Sequence, residues 1–167
     1  VRSANDACLA LAEHVSGDAD RFVTAMNDVA RSLDMRDTRF VDPCGFDRPG
    51  QYTTAADLLK LARAALADET ITRIAEMPSV RVPVNAGARV VKATATNALL
   101  GRYEGAFGLK TGHTREAGSC LIAAARHGSH VAIVVMLGAR DRWPVSVAML
   151  DEAFGRITGV PRVRSRA

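Results

Sequence analysis

Residues 106–138, AFGLKTGHTREAGSCLIAAARHGSHVAIVVMLG, decide how this chain folds. Three apolar runs follow one another, 106–112, 119–126 and 131–138, with only a few turn-forming residues between them. Breaks that short cannot hold the crossover a parallel pair needs, so the three runs read as an antiparallel strand meander. His127 and His130 flank its second turn.

Upstream of this stretch, 80–84 alternates like a half-exposed strand, and Pro83 within it argues for a sheet edge. Residues 89–94 pair with it across Asn85-Ala86-Gly87. Everything earlier has helical character. Residues 5–15 are rich in good helix formers and end at Ser16-Gly17. The segment 19–33 sets Phe22, Val23, Met26, Val29, Ala30 and Leu33 at helical spacing, with Asp20, Asn27, Asp28 and Arg31 on the other side. Asp42-Pro43-Cys44-Gly45 and Pro49-Gly50 mark 34–52 as a long ordered loop. Thr54-Ala55-Ala56-Asp57 resembles a capping box with Asp in place of Glu, opening a helix through 66, and a shorter helix covers 69–76. Downstream, 143–156 presents Val147, Leu150, Ala153 and Phe154 on one side. Helices come first, then the strand meander, then a C-terminal helix. The fold class is therefore α+β, an antiparallel sheet packed by helices.

With 167 residues, 48% apolar and 24% charged, the chain has the composition of one ordinary globular domain. Its longest apolar run, 131–137, is far too short to span a bilayer. No charged segment leading into an apolar one opens the chain, so no signal peptide is visible, and the first residue is Val rather than Met. Of the net charge of +4, Arg162, Arg164 and Arg166 supply three. The rest is close to neutral and lacks the clustered basic face that nucleic-acid binding requires. We divide the chain into a domain portion, 1–157, and a basic tail or linker start, 158–167.

Cys8, Cys44 and Cys120 have no CxxC spacing, and an odd number cannot all pair within the chain. Cys8 and Cys120 sit among apolar residues and read as small buried hydrophobes, whereas Cys44 sits in a turn. No Cys or carboxylate cluster stands beside His127 and His130, so no metal site is expected. Lysine is nearly absent, with Lys60, Lys92 and Lys110 alone among 22 basic residues. Lys110 is not part of a phosphate-binding loop, because Leu109 stands where that motif has Gly.

Two short motifs carry the chemistry. Ser3-Ala4-Asn5 precedes a helix, and Lys110-Thr111-Gly112 ends an apolar strand before His113-Thr114. Taken singly, Ser3 or Asn5 reads as a helix N-cap, and Lys110 as a solvated strand-end lysine. Together they resemble the second and third motifs of penicillin-binding proteins and serine β-lactamases, S-x-x-K, S-x-N and K-T-G. The stretches 22–27, 38–46 and 108–118 are similar to segments of low-molecular-weight D-alanyl-D-alanine carboxypeptidases, peptidase family S11. The resemblance runs from residue 2 to about 157. It departs at Cys44, where a small polar residue or His is expected.

That resemblance implies a β-lactamase/transpeptidase-like fold and a serine peptidase that removes the terminal D-Ala of peptidoglycan stem peptides through an acyl-enzyme. It implies β-lactams as inhibitors, no cofactor, and export to the outer face of the cytoplasmic membrane, the periplasm or the cell wall. Lys110 and Thr111 would meet the substrate carboxylate with a cation and a hydroxyl. Gly112 would let a peptide lie along the strand. His113 would offer its backbone N–H as one of two oxyanion donors, each worth about 3 kcal/mol. Ser3 would relay a proton to the leaving amine, and Asn5 would hold the substrate amide. Arg142 stands where the family tends to place an arginine near the carboxylate, and reads equally as a surface charge.

The nucleophile motif is missing. The residues three before the lysines are Asp57, Arg89 and Phe107, so no Ser-x-x-Lys exists here. The family carries its nucleophile helix and first strands upstream, so the domain is expected to be incomplete at its N-terminus, leaving an open sheet edge. A missing N-terminal segment or second chain would complete it, and this chain alone would be inactive. A noncatalytic module binding peptidoglycan or a partner protein is the alternative. A class A β-lactamase is disfavoured, because neither 69–73 nor 76–80 fits its E-x-x-L-N pattern.

Overall fold

Alternation along β4 (Gly118–His127) places Leu121, Ala123 and Ala125 on one face and Ala124 on the other, and all four are essentially inaccessible to solvent. β4 is the centre of a three-stranded antiparallel sheet of order β3-β4-β5, with β3 at Ala106–Thr114 and β5 at His130–Met136. The computed structural model describes residues 1–159, so Arg162, Arg164 and Arg166 lie outside the described residues.

The other elements follow the sequence reading closely. They are α1 (Asn5–Ser16), α2 (Ala19–Ser32), α3 (Ala55–Leu66), α4 (Glu69–Ala75), β1 (Ser79–Val84), β2 (Arg89–Thr94) and α5 (Arg142–Thr158). Leu150 and Phe154 of α5 join Leu121, Ala123, Ala125, Ala132, Val134 and Met136 of the sheet in one core. Pro144 is tolerated because it falls in the first turn of α5, where no intrahelical N–H bond is lost. α3 lies against β5, and α4 against β3. No described helix is long and apolar enough to cross a membrane.

β1 and β2 pair from Ser79↔Thr94 to Val84↔Arg89 but form a separate two-stranded sheet instead of joining the meander. The intervening segment 95–105 explains this, since it turns inward and buries Leu99 and Tyr103 in the main core. Gly105 ends that segment at φ +77°. A Cβ there would fall 2.0 Å from the Arg126 carbonyl oxygen, so the start of β3 admits only glycine.

Two expectations about helix faces change. Asn27, placed on the polar side of α2, is half-buried: its amide donates to the Phe40 carbonyl at 2.9 Å, and its Oδ1 accepts from the Phe40 N–H at 2.9 Å. Val29, placed in the apolar stripe, is exposed. Loop backbone without a sheet partner needs a polar side chain to satisfy it, and that need turns α2 toward Asn27. Thr54 does cap α3, accepting from the Asp57 N–H at 3.2 Å. Asp57 does not return the bond. Its carboxylate, 2% exposed, accepts from the Asp37 N–H and the Thr38 hydroxyl, both at 2.8 Å, and pins the 34–52 loop to α3.

Candidate active site

The resemblance puts Lys110 and Thr111 side by side, yet strand alternation sends neighbouring side chains to opposite faces. β3 is an edge strand, and the lysine curls around that edge: its Nζ donates to the Thr111 carbonyl at 2.5 Å and to Ser3 Oγ at 2.8 Å. Ser3 and Lys110 thus meet although 107 positions separate them in sequence. Lys110 is exposed as a whole residue, but partial desolvation of its ammonium group at the strand edge lowers its pKa from the ordinary value.

Ser3 does not act as a helix cap. The N-cap of α1 is Ala4, with no side-chain hydrogen bond, and Ser3 lies just before it at φ +58°, in the left-handed region that serine seldom occupies. Its hydroxyl is therefore committed to Lys110 rather than to the helix. Asn5 is the first residue of α1 and is exposed.

Ser3, Lys110 and Thr111 line one cavity of about 90 Å³ together with Val1, Thr96 and Asn97. The last two were not singled out from sequence. Thr96 Oγ1 and Thr111 Oγ1 are 2.5 Å apart and share a hydrogen bond. The Asn97 amide donates to the Gly108 carbonyl at 3.0 Å, while its Oδ1 accepts from the Leu99 N–H at 3.1 Å. The 95–105 segment thereby braces β3 from the side away from β4. Thr111, 7% exposed, is the only member of the Lys-Thr-Gly motif that is buried.

Gly112 and His113 continue β3 as exposed residues, pairing with Cys120 and Ser119. A Cβ on Gly112 would meet only the Cys120 Cβ, at an ordinary 3.5 Å, so packing within the chain does not demand glycine there. His113 Nδ1 lies 3.3 Å from Ser119 Oγ. Arg142, at the start of α5, donates from Nη1 to the Gly112 carbonyl at 2.8 Å and to the Cys120 carbonyl at 3.3 Å, and its guanidinium stacks on Trp143. It is thereby fixed against the end of the motif strand. The structure brings Ser3, Lys110 and Thr111 into one cavity, with Asn5, Gly112, His113 and Arg142 outside its lining.

The cysteines behave differently from the expectation. Cys8 is not a free buried hydrophobe: it forms a disulfide with Cys44, and Cys120 alone is free. The chain brings a helix turn and a loop turn to a Cα separation of 5.8 Å, which suits the bond. Cys44 follows Asp42, whose carboxylate accepts from the Cys44 and Phe46 N–H groups at 2.8 and 3.0 Å. The same loop reaches the β3–β4 turn, where Asp47 Oδ2 accepts from the Glu116 N–H at 3.3 Å. Among the described residues no group of three His, Cys, Asp or Glu side chains is placed to hold a metal.

A family model for D-alanyl-D-alanine carboxypeptidases, peptidase S11, matches residues 1–141. The chain belongs to this carboxypeptidase family. The family's relatives include the D-alanyl-D-alanine carboxypeptidase DacF of Bacillus subtilis, 36% identical over 159 residues that cover 93% of this chain and 41% of that protein. The crystal structure of a Mycobacterium tuberculosis D-alanyl-D-alanine carboxypeptidase superposes with a TM-score of 0.82 at 32% identity, covering 92% of this chain and 60% of that one. Penicillin-binding protein D2 of Listeria monocytogenes, in its cefotaxime-bound form, superposes with a TM-score of 0.80 at 32% identity over 91% of this chain and 62% of that one. The fold is that of penicillin-binding proteins. The chain spans less than two thirds of the length of each of these three proteins.

Proposed function

We propose that this chain forms the Ser-x-Asn and Lys-Thr-Gly portion of a serine D-alanyl-D-alanine carboxypeptidase that removes the terminal D-Ala of peptidoglycan stem peptides and is acylated by β-lactams. The observation that carries the reading is the 2.8 Å hydrogen bond from Lys110 Nζ to Ser3 Oγ. Two motifs far apart in sequence converge on a serine–lysine pair whose amine has a lowered pKa. Such a pair can take a proton and pass it on, which is the requirement for expelling an amine from a tetrahedral intermediate.

In this reading Lys110 and Ser3 carry the proton to the departing D-Ala nitrogen, and Asn5 holds the substrate amide. The Thr111 hydroxyl, its rotamer fixed by Thr96, donates to the D-Ala carboxylate, and the Lys110 charge adds to the attraction. The peptide lies along the exposed end of β3 beside Gly112, and the His113 N–H supplies one oxyanion donor. Arg142 holds the Gly112 end of the strand and adds positive charge near the carboxylate. The acylated serine comes from a Ser-x-x-Lys element outside this sequence, in a preceding segment or a second chain, and the complete domain works outside the cytoplasmic membrane on the cell wall.

The absence of Ser-x-x-Lys among these 167 residues favours one rival reading, a noncatalytic module that binds peptidoglycan or a partner protein through the same groove. A fluorescent penicillin separates the two. The full-length protein that carries this chain becomes covalently labelled, while the 167-residue chain alone gains no adduct by intact mass. Failure of the full-length protein to label, or a stable adduct on Ser3 in the isolated chain, refutes the catalytic reading.

A further inference from the structure

The Cys8–Cys44 disulfide plays no part in the proposed chemistry, yet it lies directly behind the residues that do. Cys8 is on the first turn of α1, just after Ser3 and Asn5, and Cys44 Sγ lies 3.7 Å from the Asn5 carbonyl oxygen. A disulfide sulfur has no proton to donate, so this contact is packing against the turn that carries the Ser-x-Asn motif.

The two halves of the crosslink are anchored very differently. The loop holding Cys44 is tied to α2 by both amide atoms of Asn27, and to α3 by Asp57. Gln51 also braces it internally, accepting from the Val41 and Asp42 N–H groups and donating to the Phe46 carbonyl. α1, by contrast, has no side-chain cap, and Ala12 is its single buried residue. Leu9, Leu11 and Val15 of α1 are exposed. Within this chain the covalent bond is therefore a direct tie from a hydrogen-bonded loop to the first turn of α1.

We propose that the Cys8–Cys44 disulfide is a redox-controlled positioning device for Ser3 and Asn5. Oxidised, it holds Ser3 Oγ within hydrogen-bond reach of Lys110. Reduced, it frees the first turn of α1, and proton transfer through Ser3 slows. This rests on the catalytic reading above. The reductant is a small dithiol: the Sγ–Sγ bond breaks, each cysteine sulfur takes one proton from the dithiol, and the dithiol leaves as its own disulfide. Cys8 and Cys44 are positioning residues and touch no substrate.

The test uses the full-length protein in oxidised, dithiol-reduced and reoxidised forms, well below its unfolding temperature. Peptide mapping after alkylation under unfolding, non-reducing conditions first establishes the bond: Cys120 is alkylated, while Cys8 and Cys44 react only after reduction. Acylation is then followed against fluorescent-penicillin concentration. Misplacing a reacting group by an ångström costs on the order of 100-fold, so reduction is expected to lower the saturating acylation rate about tenfold or more. The half-saturating concentration should change by less than about twofold, and reoxidation should restore the rate. The double variant C8S/C44S should acylate at the reduced rate and ignore the dithiol. Alkylation of Cys8 and Cys44 without reduction overturns the proposal. So does a rate that is equal in both redox states, or one that falls only as folded protein is lost. Equal labelling of both states sinks this inference and leaves the catalytic reading standing, whereas no labelling in either state sinks both.

Discussion

Arg142 Nη1 donates to the Gly112 carbonyl at 2.8 Å, so the first residue of the last helix holds the last residue of the Lys-Thr-Gly motif. The sequence reading left Arg142 open between a carboxylate ligand and a surface charge. Its side chain is half-buried, bridges two strands through the Gly112 and Cys120 carbonyls, and stacks on Trp143. A charged hydrogen bond of this kind contributes about 1.5–3 kcal/mol. Arg142→Ala is expected to lower stability by an amount in that range and to slow β-lactam acylation of the full-length protein. Arg142→Lys keeps the charge but not the planar fork, and should recover only part of both losses. Thermal unfolding and acylation kinetics on the same two variants check this.

Glycine serves two different ends along β3. At Gly105 a Cβ would collide with the Arg126 carbonyl and φ is positive, so Gly105→Ala should cost more than about 2 kcal/mol of stability. At Gly112 neither constraint applies. Gly112→Ala should leave the unfolding temperature within about 2 °C of the parent while weakening penicillin acylation at least about tenfold. Matched melts and labelling rates test the contrast.

Asp57 makes stability depend on acid. Burial raises its pKa, but hydrogen bonds from Thr38, Lys60 and the Asp37 N–H outweigh burial and leave it below the usual carboxylate value. A carboxyl whose folded pKa is depressed stabilises the fold above its unfolded pKa, near 4, and that stability is lost as pH falls through the lower folded value. The parent should therefore lose melting temperature steeply below about pH 4. Asp57→Asn should melt lower at pH 7 and show a shallower acid dependence. A parallel pair of acid curves would contradict the assignment.

Thr96→Val keeps the shape of the side chain and removes the partner of the Thr111 hydroxyl. The expected cost is about 1 kcal/mol of stability, because Thr111 is buried. A slower acylation rate is expected alongside it, since the rotamer of the carboxylate donor is no longer fixed. Unfolding and acylation measured on one preparation distinguish the two effects.

Much of this was legible in the chain itself. The meander followed from the short breaks around 113–118 and 127–130, and the hairpin turn from Asn85-Ala86-Gly87, whose three residues all take positive φ. Lys110 and Ser3 were legible as members of recognisable motifs. Thr96 and Asn97 were not, because one threonine and one asparagine in a connecting segment carry no periodicity, and their importance arises only where that segment meets β3. The Cys8–Cys44 bond was hidden by an odd cysteine count and by a pairing that joins a helix to a loop 36 residues away. Asn27 was misplaced because amphipathic spacing counts polarity. It does not register an unpaired backbone nearby that requires a polar partner.

The measurement that bears most directly on the account is a double-mutant cycle of Ser3→Ala and Lys110→Ala in the full-length protein, read as the second-order rate of acylation by a fluorescent penicillin. If the 2.8 Å contact is one proton path, each single variant slows acylation by roughly 10²–10⁴-fold and the double variant is little worse than either. Unchanged rates, or losses that simply multiply in the double variant, would show that these two residues do not work together.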